Sequence, residues 1–239
     1  MNKLEYIGKC LLVNEKEKKI LVVGDLHLGF EESLNESGIF IGRKMFGEMI
    51  GDFDKVFDAV GERIDEIVLL GDVKHEFGRV LRQEWNDVLG LFDYLKGKCE
   101  RIVLVKGNHD KIIEPIARER KIEVVDYYVV GKYCFLHGDR DFDEIWDNRI
   151  KAFVVGHVHP AVNLKDGVKV EKYKCFLVGK FKRKEIIAVP SFIEYYEGSD
   201  PREKKNRLVW GVNLEKFDVK IVGEKDLGVL DFGKMDRLS

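Results

Sequence analysis

The chain has 239 residues, with 41 Lys and Arg against 43 Asp and Glu, a formal net charge of −2, and 45% hydrophobic and 35% charged residues. That balance argues against a disordered chain and against a strong non-specific DNA binder, which would need a broad positive field. Cys10, Cys99, Cys134 and Cys175 lie far apart with no C-x-x-C pair, so neither a zinc knuckle nor a disulfide framework is indicated. The start of the chain has no leader pattern and no apolar run reaches about 18 residues, which predicts a cytoplasmic protein without a membrane anchor. A single domain over residues 1–239 is expected.

Residues 10–13 and 20–23 are short apolar runs around a charged turn and predict a hairpin. Over 43–63 the residues Met45, Met49, Phe53, Val56 and Val60 recur at helical spacing. A buried strand is predicted at 67–70, a second helix at 81–95, another strand at 102–105, and a short helix at 111–120 with Pro115 in its first turn. Strands alternating with helices predict a largely parallel sheet. After Glu123 strands dominate, at 124–130, 133–136, 153–155, 168–178, 186–189, 208–214 and 217–222, and predict a second sheet packed on the first.

Several of these runs end in glycine and a reactive side chain: Gly24-Asp25-Leu26-His27, Gly71-Asp72, Gly107-Asn108-His109-Asp110, His137-Gly138-Asp139 and Gly156-His157-Val158-His159. All six histidines fall in these segments or in the loop after Asp72, at His75. A lone histidine is usually a surface or core residue, but Asp, Asn and His gathered behind glycine-terminated strands point to a metal site. Oxygen and imidazole donors suit manganese, iron or zinc. There are more donors than one ion takes, so two ions about 3.5 to 4 Å apart are expected.

These five motifs, in this order over residues 24–160, resemble the signature of the calcineurin-like metallophosphoesterases. The resemblance implies an α/β fold, a four-layer α/β/β/α sandwich of two packed mixed sheets flanked by helices. It places Asp25, His27, Asp72 and His159 on one ion, and Asp72, Asn108, His137 and His157 on the other, with Asp72 bridging. His109 would stand over the scissile phosphate as general acid or charge stabiliser, held by Asp110. Gly71-Asp72-Val73-Lys74-His75 is similar to the Gly-Asp-x-x-His of SbcD-type repair nucleases and of small, mostly archaeal SbcD-related phosphoesterases, which makes His75 a second active-site histidine.

The implied activity is two-metal hydrolysis of phosphodiester bonds in nucleic acid or nucleotides, by in-line attack of water activated between the ions. Manganese is the first choice of ion, with zinc, iron or nickel as alternatives. No capping domain is expected after the phosphoesterase core, which points to single-stranded or short substrates. The competing readings are a phosphomonoesterase and a non-catalytic scaffold of the same fold. The basic runs 180–184 and 202–207, with Phe181, Tyr195 or Tyr196, are candidate contacts to phosphates and bases. Ser191 has no adjacent base and is not expected to act as a nucleophile; Arg43 is a candidate neighbour of the site.

Overall fold

In the computed structural model, which describes residues 4–203, 207–223 and 226–238, the strands fall into two sheets. The first runs, in spatial order, β1 (Leu4–Ile7), β2 (Cys10–Glu15), β3 (Lys18–Val23), β4 (Ile64–Leu69), β5 (Cys99–Val105) and β6 (Glu123–Val125). The β1–β2 and β2–β3 pairs are antiparallel, and β3 to β6 are parallel. One face carries α1 (Phe30–Glu36), α2 (Met45–Val60), α3 (Arg82–Lys96) and α4 (Glu114–Glu119).

The second sheet contains β7 (Tyr127–Val130), β8 (Tyr133–Leu136), β9 (Ala152–Val155), β10 (Ala161–Asp166), β11 (Lys169–Phe181), β12 (Lys184–Ala188), β13 (Asp218–Val222) and β14 (Val229–Lys234). Its order is β14-β13-β11-β12-β9-β8-β7, with β10 paired to β11. The β8–β9 and β9–β12 pairs are parallel.

Alternation along the strands explains the layering, since successive side chains point to opposite faces. Leu21, Val23, Ile67, Leu69 and Leu104 pack under the helices with Phe53, Val88 and Phe92. Their neighbours Ile20, Val22, Val68, Leu70, Val103 and Val105 face the second sheet and meet Phe135, Val154, Phe176 and Ile187. Strands buried on both faces read as unbroken apolar runs, which is why they were legible in the sequence. On the far face of the second sheet, Leu136, Phe153, Val155 and Ile186 lie beneath Ile145, Leu208, Val212, Leu214 and Met235. The helical layer there consists of 3₁₀ turns, Asp143–Trp146, Leu214–Lys216 and Met235–Arg237, together with loops. Among the described residues no helix is long and apolar enough to cross a membrane.

Helix α1 supplies caps for two others. Glu31 accepts from the backbone N–H groups of Lys44 and Met45 at 2.7 and 2.9 Å, and Glu32 from those of Gln83 and Glu84 at 3.0 and 3.1 Å. Carboxylates on the unpaired donors at the starts of α2 and α3 are favourable both as hydrogen bonds and against the helix dipoles.

Two sequence expectations change. The single strand at 124–130 divides at Asp126: Val125 pairs with Val105 of the first sheet, whereas Tyr127 pairs with Leu136 of the second. In place of a strand at 208–214, residues 208–213 form a loop that leads into the 3₁₀ turn at Leu214, because Gly211 turns back onto the Leu208 carbonyl and the Asn213 side chain caps Glu215. Their apolar side chains cover the sheet without joining it.

Candidate metal centre

Parallel strands end side by side, so whatever follows them collects on one rim. Asp25 and His27 follow β3, Asp72 follows β4, Asn108 and His109 follow β5, His137 follows β8, and His157 and His159 follow β9. The loops are fastened to one another: the N–H groups of Leu26 and His27 donate to the Asp72 carbonyl at 3.1 and 2.8 Å, and that of His75 to the Leu28 carbonyl at 2.9 Å. His27, Asp72, His157 and His159 all take left-handed backbone, with φ of 46°, 47°, 67° and 43°. In a non-glycine residue that conformation costs on the order of 1 to 3 kcal/mol and persists only where the surroundings impose it. Gly107 must be glycine for another reason: a Cβ there would stand 2.3 Å from Asp72 Oδ1 and 2.4 Å from its backbone nitrogen.

Asp72 divides its two oxygens. Oδ1 accepts the His109 N–H at 2.8 Å. Oδ2 faces His137 Nε2 at 3.4 Å and the Nε2 atoms of His27 and His109 at 3.9 Å each. Asp25 accepts the His157 N–H at 3.1 and 3.2 Å, and its Oδ1 lies 3.1 Å from His159 Nε2. His137 donates from Nδ1 to the Leu70 carbonyl at 2.7 Å, which turns Nε2 toward Asp72, Asn108 Oδ1 (3.1 Å) and His157 Nδ1 (3.2 Å). Two donor sets result, Asp25, His27, Asp72 and His159, and Asp72, His137 and His157, with the ligand atoms of each within 4.8 Å of one another.

The electrostatics fit cations. His27 Nε2 and His159 Nε2 sit 3.3 Å apart beside a carboxylate, while the Nδ1 atoms of both rings are buried without a hydrogen-bond partner among the described residues. Burial works against ionisation of Asp25, yet His159, His137 and His27 hold its carboxyl below the usual carboxylate range. Burial, reinforced by His159, pushes His27 down to about 3. Burial would also lower His137, but its hydrogen bond to Asp72 and the charges of Asp72 and Asp25 raise it to about 10. Buried carboxylates that demand positive charge, next to a neutral imidazole, are what a divalent ion would satisfy.

His75 and His109 lie alongside. With His27 they form a third group of converging ring nitrogens. The expectation that Asp110 holds His109 is corrected: His109 Nδ1 donates to the His75 carbonyl. Asp110 is fully buried and accepts instead from the N–H groups of Val73 (3.1 Å), Lys74 (3.3 Å) and Gly107 (3.1 Å), so it ties the Asp72 and Asn108 loops together. A positioning residue that sequence reading missed is Glu84, buried in α3, which accepts from the N–H groups of His75 and Glu76 at 2.7 and 2.8 Å. Only its place three residues into a helix, opposite Leu81, hinted at a capping role.

A cavity of about 300 Å³ opens over these groups, lined by His27, Phe30, Asp72, His75, Asn108, His109, His157, His159, Ile193 and Tyr196. A larger cavity of about 380 Å³, around Lys9, Asp52, Lys174 and Glu194, contains no histidine and lies apart from this chemistry. Of the weaker candidates, Tyr196 reaches the site, whereas 180–184 does not: it forms the β11–β12 turn at the opposite end of the sheet, where Lys184 donates to the carbonyls of Asp147 and Ile150. Arg202 is committed to Asp200 at 2.6 Å, and residues 204–206 of that basic run lie outside the described residues. Ser191 is buried and accepts from Lys174 at 3.0 Å; Arg43 pairs with Asp87.

Residues 18–186 match the model of the calcineurin-like phosphoesterase family. Among solved structures, the nuclease MPE of Pseudomonas putida aligns with a TM-score of 0.61 at 16% identity, over 93% of this chain and 100% of that one, a likeness of fold. The protein AQ665 of Aquifex aeolicus, of unknown function, aligns with a TM-score of 0.38 at 20% identity, over 59% of this chain and 78% of its own. No curated protein matches the sequence.

Proposed function

Because the chain belongs to the calcineurin-like phosphoesterase family, we propose that it is a two-metal-dependent phosphodiesterase of the SbcD-related kind, acting on nucleic acid or nucleotides, with manganese as its ion and zinc, iron or nickel as substitutes. The observation that carries this reading is Asp72, whose carboxylate is common to two donor sets and has His109 beside it. Divalent ions bound there would supply a nucleophile from water at neutral pH and neutralise the phosphoryl oxygens.

The chain's own residues do the rest. Asp25, His27, Asp72 and His159 would hold one ion, and Asp72, Asn108, His137 and His157 the other. His109, with Nδ1 engaged by the His75 carbonyl, turns Nε2 toward the Asp72 carboxylate and the cavity. In its imidazolium form it donates a proton to the departing oxygen, or stabilises charge there. His75 lines the same cavity and stands as a second imidazole near that one leaving group, which in a diester carries a nucleoside. The net charge of −2 favours short or single-stranded substrates over duplex gripped by its backbone. The P. putida nuclease of similar fold is consistent with a nucleic-acid substrate. A scaffold reading is disfavoured because every donor position is filled.

The test is a substrate panel with manganese: single-stranded DNA, duplex DNA, RNA, cyclic nucleotides and a monoester. Turnover of diesters above the monoester is expected, and preference for the monoester in wild type would replace this reading with a phosphomonoesterase. His75→Ala should lower diester turnover by about a hundredfold and leave the monoester within a few fold.

A further inference from the structure

We propose that Phe77 and Tyr196 are base-stacking walls on the two sides of the scissile phosphodiester, so that the site selects an unpaired nucleotide step. The inference rests on the phosphodiesterase reading above and names the side chains that recognise its substrate.

Ring contacts run from Phe77 through His109, His27 and His159 to Tyr196, with successive centroid separations of 3.6, 4.8, 5.0 and 5.0 Å. The site histidines occupy the middle of this series of contacts, and an aromatic side chain stands at each end. Both end rings are strongly exposed, Phe77 at 49% and Tyr196 at 38%. Neither is a core residue that happens to reach the surface; each touches a site histidine and leaves the remainder of its ring to solvent. Tyr196 lines the cavity, and Phe77 lies against His109, which lines it too; aromatic rings gain most when buried, so two such rings left half in water at this site have contact area still to satisfy.

An aromatic ring at each end of the series matches a substrate with a group on each side of phosphorus. A phosphomonoester has an organic group on one side of phosphorus, whereas a diester within a strand has a nucleoside on each. With the phosphate over the central histidines, the two nucleosides extend toward the two end rings. Every base has a π-face, so stacking on Phe77 and Tyr196 would tolerate any sequence. In a duplex those faces are covered by neighbouring bases and pairing fixes their direction; in a single strand they turn outward at little cost. Without a broad positive field, stacking supplies the affinity that phosphate contacts would otherwise give.

Two single-stranded oligonucleotides test this with the full chain and manganese: one with ordinary bases, the other with abasic residues flanking one step. Phe77→Ala and Tyr196→Ala should each raise KM at the ordinary step about tenfold and leave kcat within about twofold, with KM at the abasic step unchanged. Phe77→Leu and Tyr196→Leu, which keep apolar bulk and lose the π-face, should show the same loss, and Phe77→Tyr and Tyr196→Phe should behave as wild type. Equal shifts on both oligonucleotides would mean that the rings act only on the histidines, and no shift on either would mean that they bind nothing; both overturn the proposal. Wild-type protein that cuts neither strand with any of the four ions is a different failure, that of the phosphodiesterase reading, and it takes the stacking walls down with it.

Discussion

Lys16 and Glu17, with φ of 50° and 62°, close the β2–β3 hairpin, and Lys182 and Arg183, at 45° and 67°, close β11–β12; His27, Asp72, His157 and His159 adopt the same left-handed backbone at the opposite end of the sheets. In a two-residue hairpin, positive φ at both positions matches the right-handed twist of the strands, so the turn itself repays the strain. No turn type asks for it at the rim. There it is imposed by bonds between loops, the Asp72 carbonyl on Leu26 and His27 and the Asp25 carboxylate on the His157 N–H, and what it achieves is the aim of four donor side chains. The same conformation is therefore a matter of stability at one end and of site geometry at the other.

Substitutions separate the two. Asp72→Ala should reduce manganese-dependent turnover at least about a thousandfold and abolish any rise of melting temperature with added ion; activity within tenfold of wild type would remove the rim's claim to be a metal centre. Gly107→Ala puts a methyl group against Asp72 and should lower kcat/KM about a hundredfold. Full activity in that variant would show that the rim tolerates displacement as freely as a surface turn does.

Lys174 offers a pH test of the rim's support. Its ammonium donates to Ser191 Oγ and to the carbonyls of Ser191 and Ile193, next to the N–H groups that reach the Asp25 carbonyl. Burial, reinforced by Lys9, pushes it down to about 7 from a usual 10.5. The folded value lies below the unfolded one, so between them the unfolded chain binds more protons and stability rises with pH. Wild type should gain on the order of 2 kcal/mol between about pH 7 and pH 9 relative to Lys174→Met in denaturant titrations; parallel profiles would refute the assignment. The smallest effect belongs to the hairpin end, where Lys16→Asn with Glu17→Gly should stabilise by about 0.5 to 1 kcal/mol and leave turnover unchanged.

The convergence of these side chains was legible because each follows a strand buried on both faces, whose apolar run, closed by Gly24, Gly71 and Gly156 in three cases, survives in the sequence as a pattern. Strands β1, β10 and β14 were not, since their partly exposed faces mix Lys, Asp and Glu with apolar residues and blur the alternation. The break at Asp126 was hidden because Val124 and Val125 read like Val129 and Val130, and only pairing assigns them to different sheets. The true partner of His109, a backbone carbonyl, has no signature in side-chain identity; neighbouring Asp110 attracted that role by proximity in sequence. Phe77 carried no signal either, as one aromatic in a glycine-bounded loop.

Asp25, His27, Asp72 and Asn108 hang from the first sheet, and His137, His157 and His159 from the second. The spacing between donor atoms is therefore a gauge of how far apart the sheets sit, and that distance is set by side chains such as Val22, Val68, Phe135 and Phe176 deep between them. Shaving one of these would loosen the grip on any ion held at the rim without touching it, and such an ion should be lost on heating before the strands come apart.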